Sequence, residues 1–425
     1  MNTVAALAPA LRDAARMVAR VAAGRSLAEE FSRLAEEGLE TPRAALLDLT
    51  HGTLRRYGRV QLIVRELSRR GQPDALVEAL LWCSLYALES GRYAEYTVVD
   101  QAVRACGLLE RWTAKGYVNG VLRSYLRERG ALESRIRASD EANHQHPRWW
   151  IDIVRAAYPR EWEAVLAAGN AHPPMTLRVN IRRASVPQYA ARLAAAGIAA
   201  RPLAGQALLL ERALPAERLP GFAEGEVSVQ DAGAQRAARC LDLVAGQRVL
   251  DACAAPGGKA AHILESAQVA LTALDADAAR CARLARNLER LALGASIRTA
   301  DCTRLEAWWD GVGFDRILAD VPCSASGVAR RHPDVKWLRR AADLPAFAAR
   351  QAAILDALWQ ALAPDGKLLY VTCSLFPLEN EQLVEAFVAR TPRARRLPLP
   401  DGAPAQWLPG AEHDGFYYAL IQKQA

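Results

Sequence analysis

The feature that most constrains this chain is a change of rhythm near Val227. From there to the C-terminus, short apolar runs of strand length alternate with amphipathic runs of helix length. "RVLDACA", "VALTALD", "SIRTAD", "FDRILADVP" and "KLLYVTC" read as strands. "GGKAAHILE", "DAARCARLARNLERLA" and "LPAFAARQAAILDALWQAL" read as the intervening helices. Strands alternating with helices predict a parallel, doubly wound α/β sheet. Ligands of such sheets sit beyond the carboxyl ends of the strands, so the residues at those ends are the ones to read for chemistry.

Five strand ends carry unusual residues. The first opens into "DACAAPGGK", where small residues and the pair Gly257–Gly258 let backbone approach a ligand closely. It is neither a phosphate-cradling GxxxxGKS loop nor a GxGxxG turn. A tight strand-to-helix turn would account for the glycines but not for the whole string. The second strand ends in Asp275, suited to the two hydroxyls of an adenosine ribose, with Asp277 behind it better suited to capping a helix. The third ends in Asp301, placed to meet an adenine amino group. Together these predict a nucleoside cofactor. The fourth and fifth run into Cys323, with Asp320 just before it, and into Cys373. If these two strands are neighbours, about 5 Å apart, both thiols face one cleft.

Upstream the pattern differs. Residues 1–140 read as all-helical, with a capping box at Ser26 and Glu29, a cap at Thr41–Pro42, and an apolar central helix ending at Gly91. Arg55, Arg56, Arg59, Arg69, Arg70, Arg123, Arg127 and Arg129 line these helices, as solvated faces or as RNA contacts. The polar stretch 138–150 reads as a linker. Residues 146–226 read as a small α/β module with a strand at "MTLRVNI", a helix capped by Ser185 and Gln188 and stopped by Gly197, and a strand at "ALLLE". The third domain is 227–425. A chain of 425 residues, 51% hydrophobic, has material for this multidomain arrangement.

Net charge is +7, which modestly favours a polyanionic partner. The cations are nearly all arginine, so Lys259 in the glycine loop stands out. The eight cysteines form no CxxC pair, so neither a disulfide framework nor a metal site is expected. No apolar run is long enough to span a bilayer, and Arg12, Asp13, Arg16 and Arg20 interrupt the N-terminal segment. The reading is a cytoplasmic protein with no membrane partner.

"DACAAPGGK", "DVPCSASGVARRHPDVKW" and "TCS" together resemble the Sun/Fmu (RsmB) family of S-adenosylmethionine-dependent RNA cytosine-5 methyltransferases. The resemblance runs over the whole chain and points to the 16S ribosomal RNA branch. It implies an N-terminal NusB-like RNA-binding domain, a small RNA-binding module, and a Rossmann-like methyltransferase domain; a monomer is expected, though the sequence does not fix the oligomeric state. One departure is Ala260, where the family usually has Thr. The resemblance implies a cofactor site made of Cys253, Ala254, Ala255, Pro256, Gly257, Gly258 and Lys259 with Asp275, Asp301 and Asp320. Residue by residue, Cys253 reads instead as packing within the turn.

The implied chemistry explains the two thiols. C5 of cytosine is a poor nucleophile until a thiolate adds at C6. The resemblance assigns that attack to Cys373 and assigns Cys323 to product release. Asp320 is suited to hydrogen-bond N3 and the exocyclic amine, and a protonated form would deliver a proton to N3. Arg330, Arg331, His332, Lys336, Arg339 and Arg340 offer phosphate partners, or a solvated basic helix. Three other readings compete. A nicotinamide dehydrogenase lacks its GxGxxG here, and an amino-group methyltransferase would need an NPPY-type loop. A non-catalytic NusB-like RNA-binding factor leaves the strand-tip thiols unexplained. Within the preferred class, transfer RNA is the alternative substrate.

Overall fold

A computed structural model of the chain describes residues 7–37, 41–68, 71 and 73–425. They form two compact units, one of residues 1–171 with 329–341 and one of residues 172–328 with 342–425. Arg69 and Arg70 lie outside the described residues.

The first unit is helical among its described residues. Its central helix, Ala75–Glu89, is buried from Val77 to Leu88 apart from Glu78, as a segment apolar all round its axis must be. Asp74 caps it by accepting from the Leu76 and Val77 N–H groups. The Ser26 hydroxyl accepts from the Glu29 N–H as expected, while the next cap falls at Pro42 rather than Thr41, one residue later than predicted. Several of the lining arginines are engaged within the bundle. Arg56 and Arg59 pair with Glu89, Arg59 also with Glu133, and Arg129 with Glu95.

The stretch read as a linker is instead a short helix, Asp140–His144, followed by a longer one, Arg148–Ala157. Its polar residues serve as local caps. Ser139 accepts from the Ala142 N–H, and Gln145, at φ 61°, closes the turn by donating to the Ala142 carbonyl. Local hydrogen bonding of this kind gives a helix end the same composition as a loop.

A second correction concerns "RRHPDVKW". Residues 329–341 belong to the helical unit, and two of their cations, Arg330 and Lys336, are buried. Lys336 is fully buried, and its ammonium donates to the Arg55 and Gln145 carbonyls and to Asn170 Oδ1. Burial, aided by the charge of Arg55, holds its pKa well below the usual lysine range. Trp337 donates to the Leu54 carbonyl, Arg55 to the Arg330 carbonyl, and Asp334 accepts from the Leu27 N–H. Lys336 and Arg330, the latter only 2% exposed, are therefore unsuited to RNA phosphates, whereas His332 and Arg340 are exposed.

The second unit holds two sheets. The smaller, β1 (Met175–Val179), β2 (Ala200–Pro202), β3 (Ala207–Leu210) and β4 (Val227–Val229), is antiparallel in the order β2-β3-β1-β4. The helix Val186–Ala195 beside it carries a complete capping box between Ser185 and Gln188. Val227, near which the rhythm of the sequence changes, pairs with Val179 of the small sheet.

The larger sheet contains β5 (Arg248–Asp251), β6 (Ala270–Asp275), β7 (Ser296–Thr299), β8 (Phe314–Asp320), β9 (Leu362–Thr372), β10 (Ala394–Leu397), β11 (Gln406–Trp407) and β12 (Phe416–Lys423). The order is β10-β12-β9-β8-β5-β6-β7, with β11 on β12. β5 to β9 are mutually parallel, as predicted. β12 and its partners add an antiparallel flank that the sequence reading did not name. "FYYALI" is buried on both faces and lacks the alternation that marks a half-buried strand. Among the described residues no helix is long and apolar enough to cross a membrane.

Candidate active site at the strand tips

The strand order reverses at β5, with β6 and β7 to one side and β8 and β9 to the other. That switch point is where crevices open in doubly wound sheets. The loop after β5 is pinned across it. The Ala252 N–H reaches the Leu318 carbonyl of β8, and the Ala254 N–H the Leu274 carbonyl of β6. Gly257 then turns at φ 100°, in the left-handed region, to start the helix Gly258–Ser266. A Cβ there would also press on Leu284 Cγ at 3.1 Å.

Asp275 ends β6 almost buried, at 5% exposed. Its two oxygens accept from the Ala255 N–H (3.2 Å) and the Asp277 N–H (3.1 Å), and Arg280 approaches to 3.5 Å. Asp277 caps the next helix by accepting from the Arg280 N–H. Asp301 is exposed, and Oδ1 accepts from both the backbone and the hydroxyl of Thr303. Those donors hold its pKa below the ordinary carboxylate value. Cys253, Asp275, Arg280, Asp301, Cys302 and Arg350 line one cleft. Cys253 hydrogen-bonds with Cys302, which with burial pushes its thiol pKa well above normal, as suits the packing role.

β8 and β9 are parallel neighbours in a register that sets Ala319 opposite Tyr370 and Asp320 opposite Val371. Cys323 lies three residues past the first partner and Cys373 two past the second, so both chains bring a thiol to the same level. The sulfurs are 3.4 Å apart. Contact with Cys373 and burial raise the Cys323 pKa well above the usual thiol value. Asp320 Oδ2 accepts from the Lys259 ammonium at 2.6 Å. Burial disfavours that ammonium, but Asp320, aided by Cys373 and Asp251, raises its pKa above the ordinary one. Lys259 is therefore a charged donor beside the thiols, in a position where arginine's planar fork would not fit a single oxygen as well.

The sequence reading missed Asp251 as a charged group of this site. It is 1% exposed, and no donor meets either carboxylate oxygen in full hydrogen-bond geometry, although the Cys253 backbone N–H lies close enough to favour the charged form in part. Burial, reinforced by the charge of Asp320 and opposed by Lys259, raises its pKa to about 8. Such a group is costly unless a ligand completes it, and it sits in the glycine loop at the switch point. Its place as first residue of "DACAAPGGK" was the available signal. Buried Asp251, the close-approach loop and the strand-tip acids Asp275 and Asp301 together fit a cationic nucleoside.

The comparisons agree with this geometry. The model of the 16S rRNA methyltransferase RsmB/F family matches residues 238–422, that of the RsmF/B-like ferredoxin-like domain residues 146–217, and that of the NusB family residues 9–127. Ribosomal RNA small subunit methyltransferase B of Pseudomonas putida is 43% identical over 97% of this chain and 98% of its own. The protein of the same name from Vibrio cholerae is 41% identical over 100% and 98%. The solved structure of PH0851 shares the fold at TM-score 0.80 and 22% identity, over 98% of this chain and 99% of its own. With a NusB-like domain, a ferredoxin-like module and strand-tip residues on a Rossmann-like sheet, this chain belongs to the RsmB/F family of 16S ribosomal RNA methyltransferases.

Proposed function

We propose that this protein methylates C5 of a cytosine in 16S ribosomal RNA, in the cytoplasm, using S-adenosylmethionine and a transient bond between Cys373 and C6. The observation that carries this reading is the pair of thiols 3.4 Å apart at the ends of adjacent parallel strands, beside the Lys259–Asp320 ion pair. S-Adenosylmethionine supplies an electrophilic methyl group when bound. Cys253 to Lys259, with Asp275, Asp301 and Asp320, would hold it, Asp275 taking the ribose hydroxyls.

Cys373, as thiolate, adds to C6 of the base, and the electron pair of the C5–C6 double bond becomes available at C5. Asp320, fixed by Lys259, accepts a hydrogen bond from the exocyclic amine and so orients the ring. After C5 is methylated its proton must leave. With Cys323 assisting the release, that proton passes to solvent, the C5–C6 double bond re-forms, and the Cys373 thiolate is expelled. The base must leave any stack to reach the cleft.

Bisulfite sequencing of 16S ribosomal RNA from a deletion strain and a complemented strain tests the reading. One protected cytosine should vanish on deletion and return on complementation. An unchanged pattern defeats the proposal, and a change confined to transfer RNA would reassign the substrate.

A further inference from the structure

Glu379 is fully buried and contributes nothing to the cleft surface, yet it touches both thiol-bearing loops. One oxygen accepts from the Ser324 backbone N–H at 2.8 Å and from Gln351 Nε2 at 3.0 Å. The other accepts from the hydroxyls of Ser324 and Ser374, both at 2.5 Å. Ser324 directly follows Cys323, and Ser374 directly follows Cys373. We propose that Glu379 is a positioning residue whose carboxylate ties these two loops together and so sets the distance between the two thiols. The proposal rests on the two-thiol reading above and deepens it.

The chemistry of the knot asks for a carboxylate. Four donors converge on two oxygens, the number a carboxylate accepts and an amide does not. A buried carboxylate is tolerable only when so fully bonded. Further links run alongside, among them the Ser374 hydroxyl meeting those of Ser324 at 3.2 Å and Ser326 at 3.1 Å. The Ser326 hydroxyl accepts from the Leu375 N–H at 2.7 Å, and the Gly327 N–H donates to the Cys373 carbonyl at 2.8 Å. Glu379 reaches the residue next to each sulfur at once, with shorter contacts than the one between the Ser324 and Ser374 hydroxyls. Its charge also contributes to keeping the Cys323 thiol protonated, behind the larger effects of Cys373 and burial.

The test uses the full-length protein and two readouts. In glutathione redox buffers, oxidised glutathione takes both thiols to a Cys323–Cys373 disulfide and leaves as two reduced molecules. Peptide mass spectrometry gives the equilibrium ratio. Glu379→Gln should lower it by about tenfold, because the loosened loops present the thiols at lower effective concentration. With S-adenosylmethionine and 16S ribosomal RNA, kcat should fall by about 10- to 100-fold while KM for both substrates stays level, as for other sub-ångström misplacements. Should Glu379→Gln fail to fold, Ser374→Ala removes one contact and should move both readouts in the same direction by less. A lower melting temperature with thiol pairing and kcat unchanged, or a disulfide ratio that stays level or rises, overturns the proposal. Failure of the two-thiol reading shows separately, as an active Cys373→Ala enzyme, and leaves the pairing equilibrium still reporting on Glu379.

Discussion

Replacing Asp275 isolates the proposed ribose contact. A carboxylate offers about four lone-pair positions. Two are used by the N–H groups of Ala255 and Asp277, which leaves two for a pair of hydroxyls. Asp275→Ala removes both outward hydrogen bonds, each charge-assisted, at a cost of roughly 2–4 kcal/mol in binding. That is a loss of about 30- to 900-fold in affinity for S-adenosylmethionine. The same substitution strands the two backbone N–H groups, at about 1–3 kcal/mol each, a sizeable part of an ordinary folding stability. Asp275→Asn is therefore the companion variant. It retains one acceptor oxygen and should lose about half as much binding free energy with a smaller drop in melting temperature. Isothermal titration calorimetry with S-adenosylmethionine, alongside thermal unfolding of each variant, separates the two effects. Unchanged cofactor affinity in a folded Asp275→Ala protein refutes the assignment.

The two thiols should fail in opposite ways: Cys323→Ala should accumulate a protein–RNA species that survives denaturing electrophoresis, and Cys373→Ala, alone or combined with it, should give none. A trapped band from Cys373→Ala alone would require the roles to be exchanged. His51, whose pKa burial lowers to about 4 with help from Arg55 and His332, binds fewer protons folded than unfolded between pH 4 and 6.5. Stability should therefore fall as pH drops through that window, by at most about 3 kcal/mol, and denaturant titrations of His51→Gln should show a shallower fall. Lys336, with its folded pKa lowered, is likewise under-protonated in the folded state, so stability should rise with pH on approach to the ordinary lysine range. Lys336→Met should flatten that rise, and an identical alkaline slope in the variant would contradict the burial argument. A chain beginning at His144 removes Arg55 and Leu54, which receive Lys336 and Trp337, and should bind apolar dyes more strongly than the full chain.

Much of this molecule follows from local pattern. The repeat of strand and helix after Val227, the glycine turn, and the acids and thiols at strand ends are each written in short contiguous runs of the chain. Backbone geometry converts such runs directly into elements. The capping box at Ser185 and the cap at Asp277 were legible for the same reason. Tertiary structure decided what depends on partners distant in the chain. Whether "RRHPDVKW" faces solvent or a core depends on carbonyls at Arg55 and Gln145, nearly two hundred residues or more away, and periodicity carries no trace of them. The antiparallel place of β12 depends on which sheet edge was left open, and the 3.4 Å between two sulfurs on the register of β8 with β9. Asp251 and Glu379 make the same point most sharply. Two buried carboxylates look alike in sequence, yet one has at best a poorly aligned backbone donor and the other has four donors, because burial and hydrogen bonding are properties of the assembled fold rather than of the residue.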